Sequence, residues 1–114
     1  MEPMSDVETE ITYLSTENGG REGYVASGYR GQFHYGGQDW DAPQYFVNSE
    51  RVEPGETVTA RLRFLSPQAH IGRLEVGTVF LIREGHKTVG YGKVTKMLNL
   101  EAHAFEVSSK HDAA

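Results

Sequence analysis

Thr57-Val58-Thr59-Ala60-Arg61-Leu62-Arg63-Phe64 alternates without a break. Val58, Ala60, Leu62 and Phe64 share one face, and Thr57, Thr59, Arg61 and Arg63 share the other. A period of two over eight residues is the pattern of a β-strand with one face on a core and the other toward solvent or a partner. The stretch begins after Glu53-Pro54-Gly55-Glu56, a turn signal, and ends at Ser66-Pro67. Working outward, Glu8-Thr9-Glu10-Ile11-Thr12-Tyr13-Leu14 alternates in the same way and meets a turn cluster at Ser15–Gly20. Gly28–Tyr35 reads as an aromatic-rich strand, Gly36-Gly37-Gln38-Asp39 as its break, and Gln44–Val47 as a short further strand. Val79-Phe80-Leu81-Ile82 is continuously apolar, the composition of a strand buried on both sides or set in a barrel wall. Arg83–Lys87 reads as a hairpin turn into Thr88–Val94.

Short strands at regular turn spacing, without a long amphipathic helix, predict an all-β sandwich or barrel. A closed barrel suits 114 residues because closure removes exposed edges. Val58, Ala60, Leu62, Phe64, Phe80, Ile82 and Val89 are the expected core. The pattern weakens after Leu98: residues 99–114 form a C-terminal extension whose first part is expected to dock and whose last residues are expected to fray.

Composition narrows the chemistry. The chain holds no cysteine, so disulfides, thiolate metal sites and cysteine nucleophiles are excluded. No apolar run approaches the roughly 20 residues of a membrane-spanning helix, and Met1–Glu10 is acidic and polar, unlike a targeting peptide. A cytoplasmic location is expected, with no membrane partner. The net charge is −5, yet residues 1–56 carry −8 and residues 57–114 carry +3, a split that can give one fold a basic face. His34, His70, His86, His103 and His111 are scattered, with no H-E-x-x-H and no His/Asp pair at ligand spacing. No catalytic residue, metal site or cofactor is expected. Trp40, between Asp39 and Asp41, is the aromatic residue that reads as a candidate protein contact.

Three motifs carry a resemblance. Phe80-Leu81-Ile82-Arg83-Glu84-Gly85-His86-Lys87-Thr88-Val89-Gly90-Tyr91-Gly92-Lys93-Val94 closely resembles the last hairpin of translation elongation factor Tu, approximately F-x-I-R-E-G-G-R-T-V-G-x-G-x-V. Ile11–Leu14, Gly19-Gly20-Arg21 and Gly28-Tyr29-Arg30-Gly31-Gln32-Phe33 resemble the opening of the same domain. Val52–Glu56 resembles its central M-x-P-G-D turn. The match runs over residues 6–98 and is to the third, C-terminal domain, standing alone.

The resemblance implies a closed six-stranded antiparallel β-barrel and a non-catalytic, translation-associated binding module. These residues contain no G-x-x-x-x-G-K-[ST] loop, so no nucleotide is expected to bind. In the family this domain contacts the T-stem of aminoacyl-tRNA, the G domain and the exchange factor. Carried over, the RNA-contacting residues are Gln32, Arg83, Glu84 and Gly85, whose types suit phosphate, 2′-hydroxyl and close backbone approach. Departures weaken that grip: Asp41 stands where the family has a Thr, Glu22 replaces a His, His86 replaces the second hairpin Gly, Gly31 replaces a Pro, and Gly36–Asp41 is rewritten. Two partners follow, a weakly held tRNA stem or a protein of the translation machinery. In the second case the barrel imitates an elongation-factor surface without binding RNA.

Overall fold

The computed structural model describes residues 4–112, with side chains described through residue 109. The expectations for Met1–Pro3 and for Ala113 and Ala114 lie outside the described residues. Strands β1 (Val7–Tyr13), β2 (Val25–Ala26), β3 (Gln32–Tyr35), β4 (Gln38–Asp41), β5 (Gln44–Phe46), β6 (Arg51–Val52), β7 (Thr57–Leu62), β8 (Val79–Glu84) and β9 (Lys87–Met97) precede helix α1 (Leu100–Asp112). Seven strands form one antiparallel sheet in the order β4-β3-β8-β9-β1-β7-β5, and β2 with β6 makes a small ribbon.

The two ends of that order are neighbours in the chain. β4 and β5 are separated only by Ala42-Pro43, so a single run pairs with β3 through its first half and with β7 through its second. Backbone bonds from Arg63 N–H to the Pro43 carbonyl (3.3 Å) and from Leu65 N–H to the Asp41 carbonyl (3.2 Å) stitch the corner. With β4 and β5 counted as one bent strand, the ring has the six staves expected. Proline suits the bend because it has no N–H to lose from the ladder.

The core follows the period-two reading. All seven expected residues are buried: Val58, Ala60, Leu62, Phe64, Phe80, Ile82 and Val89. Val7, Ile11 and Tyr13 join them from β1. Phe33 stacks on Phe80 with ring centroids 4.2 Å apart and meets Phe64 edge-on at 5.1 Å. Thr9 points inward too, its hydroxyl donating to the Ala60 carbonyl at 2.9 Å, which meets the cost of burying it.

Four local expectations change. Gly36-Gly37-Gln38-Asp39, read as a break, is instead the turn of a hairpin and the start of its second strand. Gly36 (φ 60°) and Gly37 (φ 77°) make the two-residue turn with both central φ positive that suits the twist of paired strands, and β4 follows directly. The strand read at Gly28–Tyr35 begins only at Gln32. Of the two readings of the apolar run Val79–Ile82, the barrel wall holds and burial on both sides does not: Phe80 and Ile82 enter the core, while Val79 and Leu81 face outward. The segment after Leu98 turns helical, with Leu100, His103 and Ala104 against the barrel.

Asp6 organises that docking. Its carbonyl accepts from Leu98 N–H (2.9 Å) and Asn99 N–H (3.2 Å). Its side chain accepts from Phe64 N–H at 2.7 Å, and His103 Nδ1 lies 2.8 and 3.0 Å from its two oxygens.

Candidate functional site: the outer face of β3, β4 and β8

Antiparallel register brings the resemblance-derived residues together. Gln32 on β3 lies opposite Arg83 on β8 and, on its other side, opposite Asp41 on β4. Because inward Phe33 and Ile82 alternate with these positions, Gln32 and Arg83 stand on the outer surface. A bulge at Val89 shifts the β8–β9 register between Ile82 and Arg83, so Arg83 faces Thr88 just before the turn. The turn itself is Gly85-His86. Gly85 takes φ 61° at the first central position, as a type II′ hairpin requires, and His86 is not among the residues with positive φ. Replacement of the family's second glycine by His86 is therefore accommodated without backbone strain.

Two charged residues of the face, Arg83 and Glu84, are already engaged. Arg83 Nη1 lies 3.5 Å from Asp39 Oδ1 and 3.3 Å from His34 Nδ1. The same Asp39 oxygen accepts from His34 Nδ1 at 2.6 Å. Glu84 belongs to a second cluster: Arg21 Nε reaches its carboxylate at 2.8 Å, and the Tyr29 hydroxyl donates to it. Burial first, and then the adjacent Glu84 carboxylate, push the Tyr29 phenol well above its ordinary range, so it remains a donor. Arg21 also sits 5.2 Å over the Tyr29 ring and donates to the Tyr24 carbonyl at 2.7 Å.

Trp40 does not project into solvent. Its position opposite Phe33 turns it toward the barrel end, where it is half-buried and meets His70 edge-on at 4.6 Å. The Arg73 guanidinium lies 5.9 Å from its ring and 5.2 Å from that of Tyr35. Asp41, beside it, is exposed, as is Glu22.

The His/Asp pairs are what sequence reasoning missed. Among the described residues two are present, His34–Asp39 and His103–Asp6. The first was accessible: a two-residue Gly36-Gly37 turn puts Tyr35 opposite Gln38 and therefore His34 opposite Asp39. The second joins residues 97 positions apart and carries no local signal. Among the described residues no three His, Asp or Glu side chains converge as metal ligands would.

A chain-wide comparison fits this architecture: the model of the elongation factor Tu C-terminal domain matches residues 1–98. The chain belongs to that family. The elongation factor Tu C-terminal domain is a non-catalytic β-barrel, and membership makes this chain a translation-factor-like domain. Its helix α1 begins at Leu100, just beyond the matched residues. No helix among the described residues is long and apolar enough to cross a membrane.

Proposed function

We propose that this chain is a non-catalytic binding module working beside the translation machinery, and that its Gln32–Arg83 face recognises a protein rather than tRNA. One observation carries the preference: Arg83, the cation that would hold phosphate, is shared with Asp39, while Asp41 stands on the far side of Gln32. A phosphate approaching this row meets two carboxylates for one guanidinium, and Coulomb repulsion opposes the contact. A protein partner presenting hydrogen-bond donors and a cation meets Asp41 and Gln32 favourably.

The RNA reading keeps one specific support. Gly85 is open, with nothing within 4 Å of where a Cβ would stand, so a backbone could approach it beside Arg83 and Gln32. Gel-shift titration with tRNA at low salt separates the two. The wild-type chain is expected to give no complex, and Asp39→Asn/Asp41→Thr is expected to acquire weak, salt-sensitive binding as Arg83 is released. A wild-type complex at low salt that Arg83→Ala abolishes overturns the protein reading in favour of RNA.

A further inference from the structure

Gly31 is buried, and it is not among the glycines that take a positive φ. Its missing side chain serves a neighbour instead. A Cβ at this position overlaps ring carbons of Tyr29 and stands 2.9 Å from the Tyr29 hydroxyl. The obstruction is the far end of a side chain whose backbone is fixed. The Tyr29 carbonyl accepts from Gln44 N–H at 2.9 Å, and its own N–H donates to the Ala26 carbonyl at 3.1 Å. The ring lies over residue 31 because glycine leaves it the room.

Placed there, Tyr29 reaches the hairpin that carries Arg83. Its hydroxyl donates to Glu84, the last residue of β8, and Arg21 Nε holds the same carboxylate at 2.8 Å. The ring is steadied by Tyr13, edge-on at 6.4 Å, and by the Arg21 guanidinium at 5.2 Å. At the other foot of the turn, Lys87 Nζ donates to the Gly20 carbonyl at 3.1 Å. Both residues that flank Gly85-His86 are thus tied to the adjacent pair Gly20-Arg21, and Tyr29 braces the Glu84 side.

We propose that Gly31 is a positioning residue of the candidate site: by admitting the Tyr29 ring it fixes Glu84, and with it the Glu84–Lys87 turn beside Arg83, before any partner arrives. A bond from a hydroxyl to a half-buried carboxylate is charge-assisted and stronger than a neutral one. A turn already held in place loses less freedom on binding, which favours recognition of a rigid surface. That this hairpin recognises a partner rests on the function proposed above; that Gly31 and Tyr29 fix it does not.

Alanine fits the Gly31 backbone, so Gly31→Ala is expected to keep the wild-type circular dichroism spectrum while displacing the Tyr29 ring. Nuclear magnetic resonance of ring-labelled tyrosine reads the displacement, with Tyr29→Phe assigning the signal. In the wild-type chain, burial and the Glu84 carboxylate keep the Tyr29 phenol protonated well above its ordinary range. In Gly31→Ala its resonance is expected to titrate near the usual value of about 10. Amide exchange reads the consequence for the turn. Gly31→Ala is expected to speed exchange at Glu84–Lys87 by about tenfold, as loss of a hydrogen bond to a charged group implies, while the β1–β9 ladder keeps its protection. Tyr29→Phe, which leaves Gly31 in place, is expected to speed the same amides and to add nothing when combined with Gly31→Ala. Binding of tRNA by the wild-type chain would overturn the protein reading of the Gln32–Arg83 face and leave these measurements as expected. A Tyr29 resonance that Gly31→Ala does not move, or turn amides indifferent to Tyr29→Phe, overturns the positioning role whichever partner binds.

Discussion

His70 is fully buried between Tyr35, Trp40 and Phe64, and burial, reinforced by Arg73, pushes its imidazole down to about 4. The folded chain therefore refuses a proton that the unfolded chain accepts below the ordinary histidine value of 6.5. Stability from this residue is complete above 6.5 and falls as pH drops toward 4, by on the order of 3 kcal/mol for a shift of this size. Asp6 works with the opposite sign. Desolvation raises its carboxyl above 3.8, so its contribution is present below that value and is lost as pH rises through the folded pKa. Comparison with a variant isolates the histidine: His70→Phe is expected to flatten the fall in urea midpoint between neutral pH and about pH 5, and an unchanged slope would refute the assignment. Core packing gives a second expectation at this scale. Leu62 has no exposed surface, so Leu62→Ala should cost about 2–5 kcal/mol in urea unfolding. Leu62 was legible as core because strict alternation identifies the buried parity of a strand. His70 was not, because nothing around Ala69-His70-Ile71 says that a short 3-10 turn folds its ring under the barrel end.

At the level of elements, the Arg83–Lys87 hairpin declared itself, while the Gly36-Gly37 hairpin, read as a break, and the helix did not. Gly36-Gly37 and Gly85-His86 are turn chemistry with few alternatives, and each determines the register of the strands it joins. That register is enough to pair His34 with Asp39. Helix α1 hides because, among its described side chains, the buried ones are Leu100, His103 and Ala104, and a histidine and an alanine make a faint apolar stripe. Its hold on the barrel is polar instead. His103 meets Asp6, and Asn99 Nδ2 donates to the Ser5 carbonyl at 2.9 Å. Removing the imidazole leaves the buried Asp6 carboxylate with the Phe64 N–H as its direct partner among the described residues. His103→Ala is accordingly expected to speed amide exchange through α1 while the ladder between β1 and β9 keeps its protection. Equal acceleration in both would show that helix and barrel open as one unit.

The whole molecule is assembled from long-range pairings. β1 lies between β7 and β9, so residues near the start of the chain are enclosed by strands about fifty and eighty positions later. Loop closure on that scale must precede most of the stabilising contacts, and refolding is expected in roughly milliseconds to seconds by stopped-flow fluorescence of Trp40. A microsecond phase carrying the full amplitude would contradict it. The amino-acid sequence alone determined which residues face inward on β7, where the Arg83–Lys87 hairpin turns and to which family the barrel belongs, because alternation and turn geometry act over a few neighbouring residues. Closure was decided by tertiary structure, since only the folded chain shows that Ala42-Pro43 bends one strand onto both edges of the sheet. So was the state of the candidate site. Gln32, Arg83 and Glu84 were readable as residues, but whether Arg83 is free or held by Asp39 depends on three strands meeting in one register. The bare side of Val79 and Leu81 is the same case: an apolar run records that a strand is to be covered, and only the packed barrel reveals which face it leaves open.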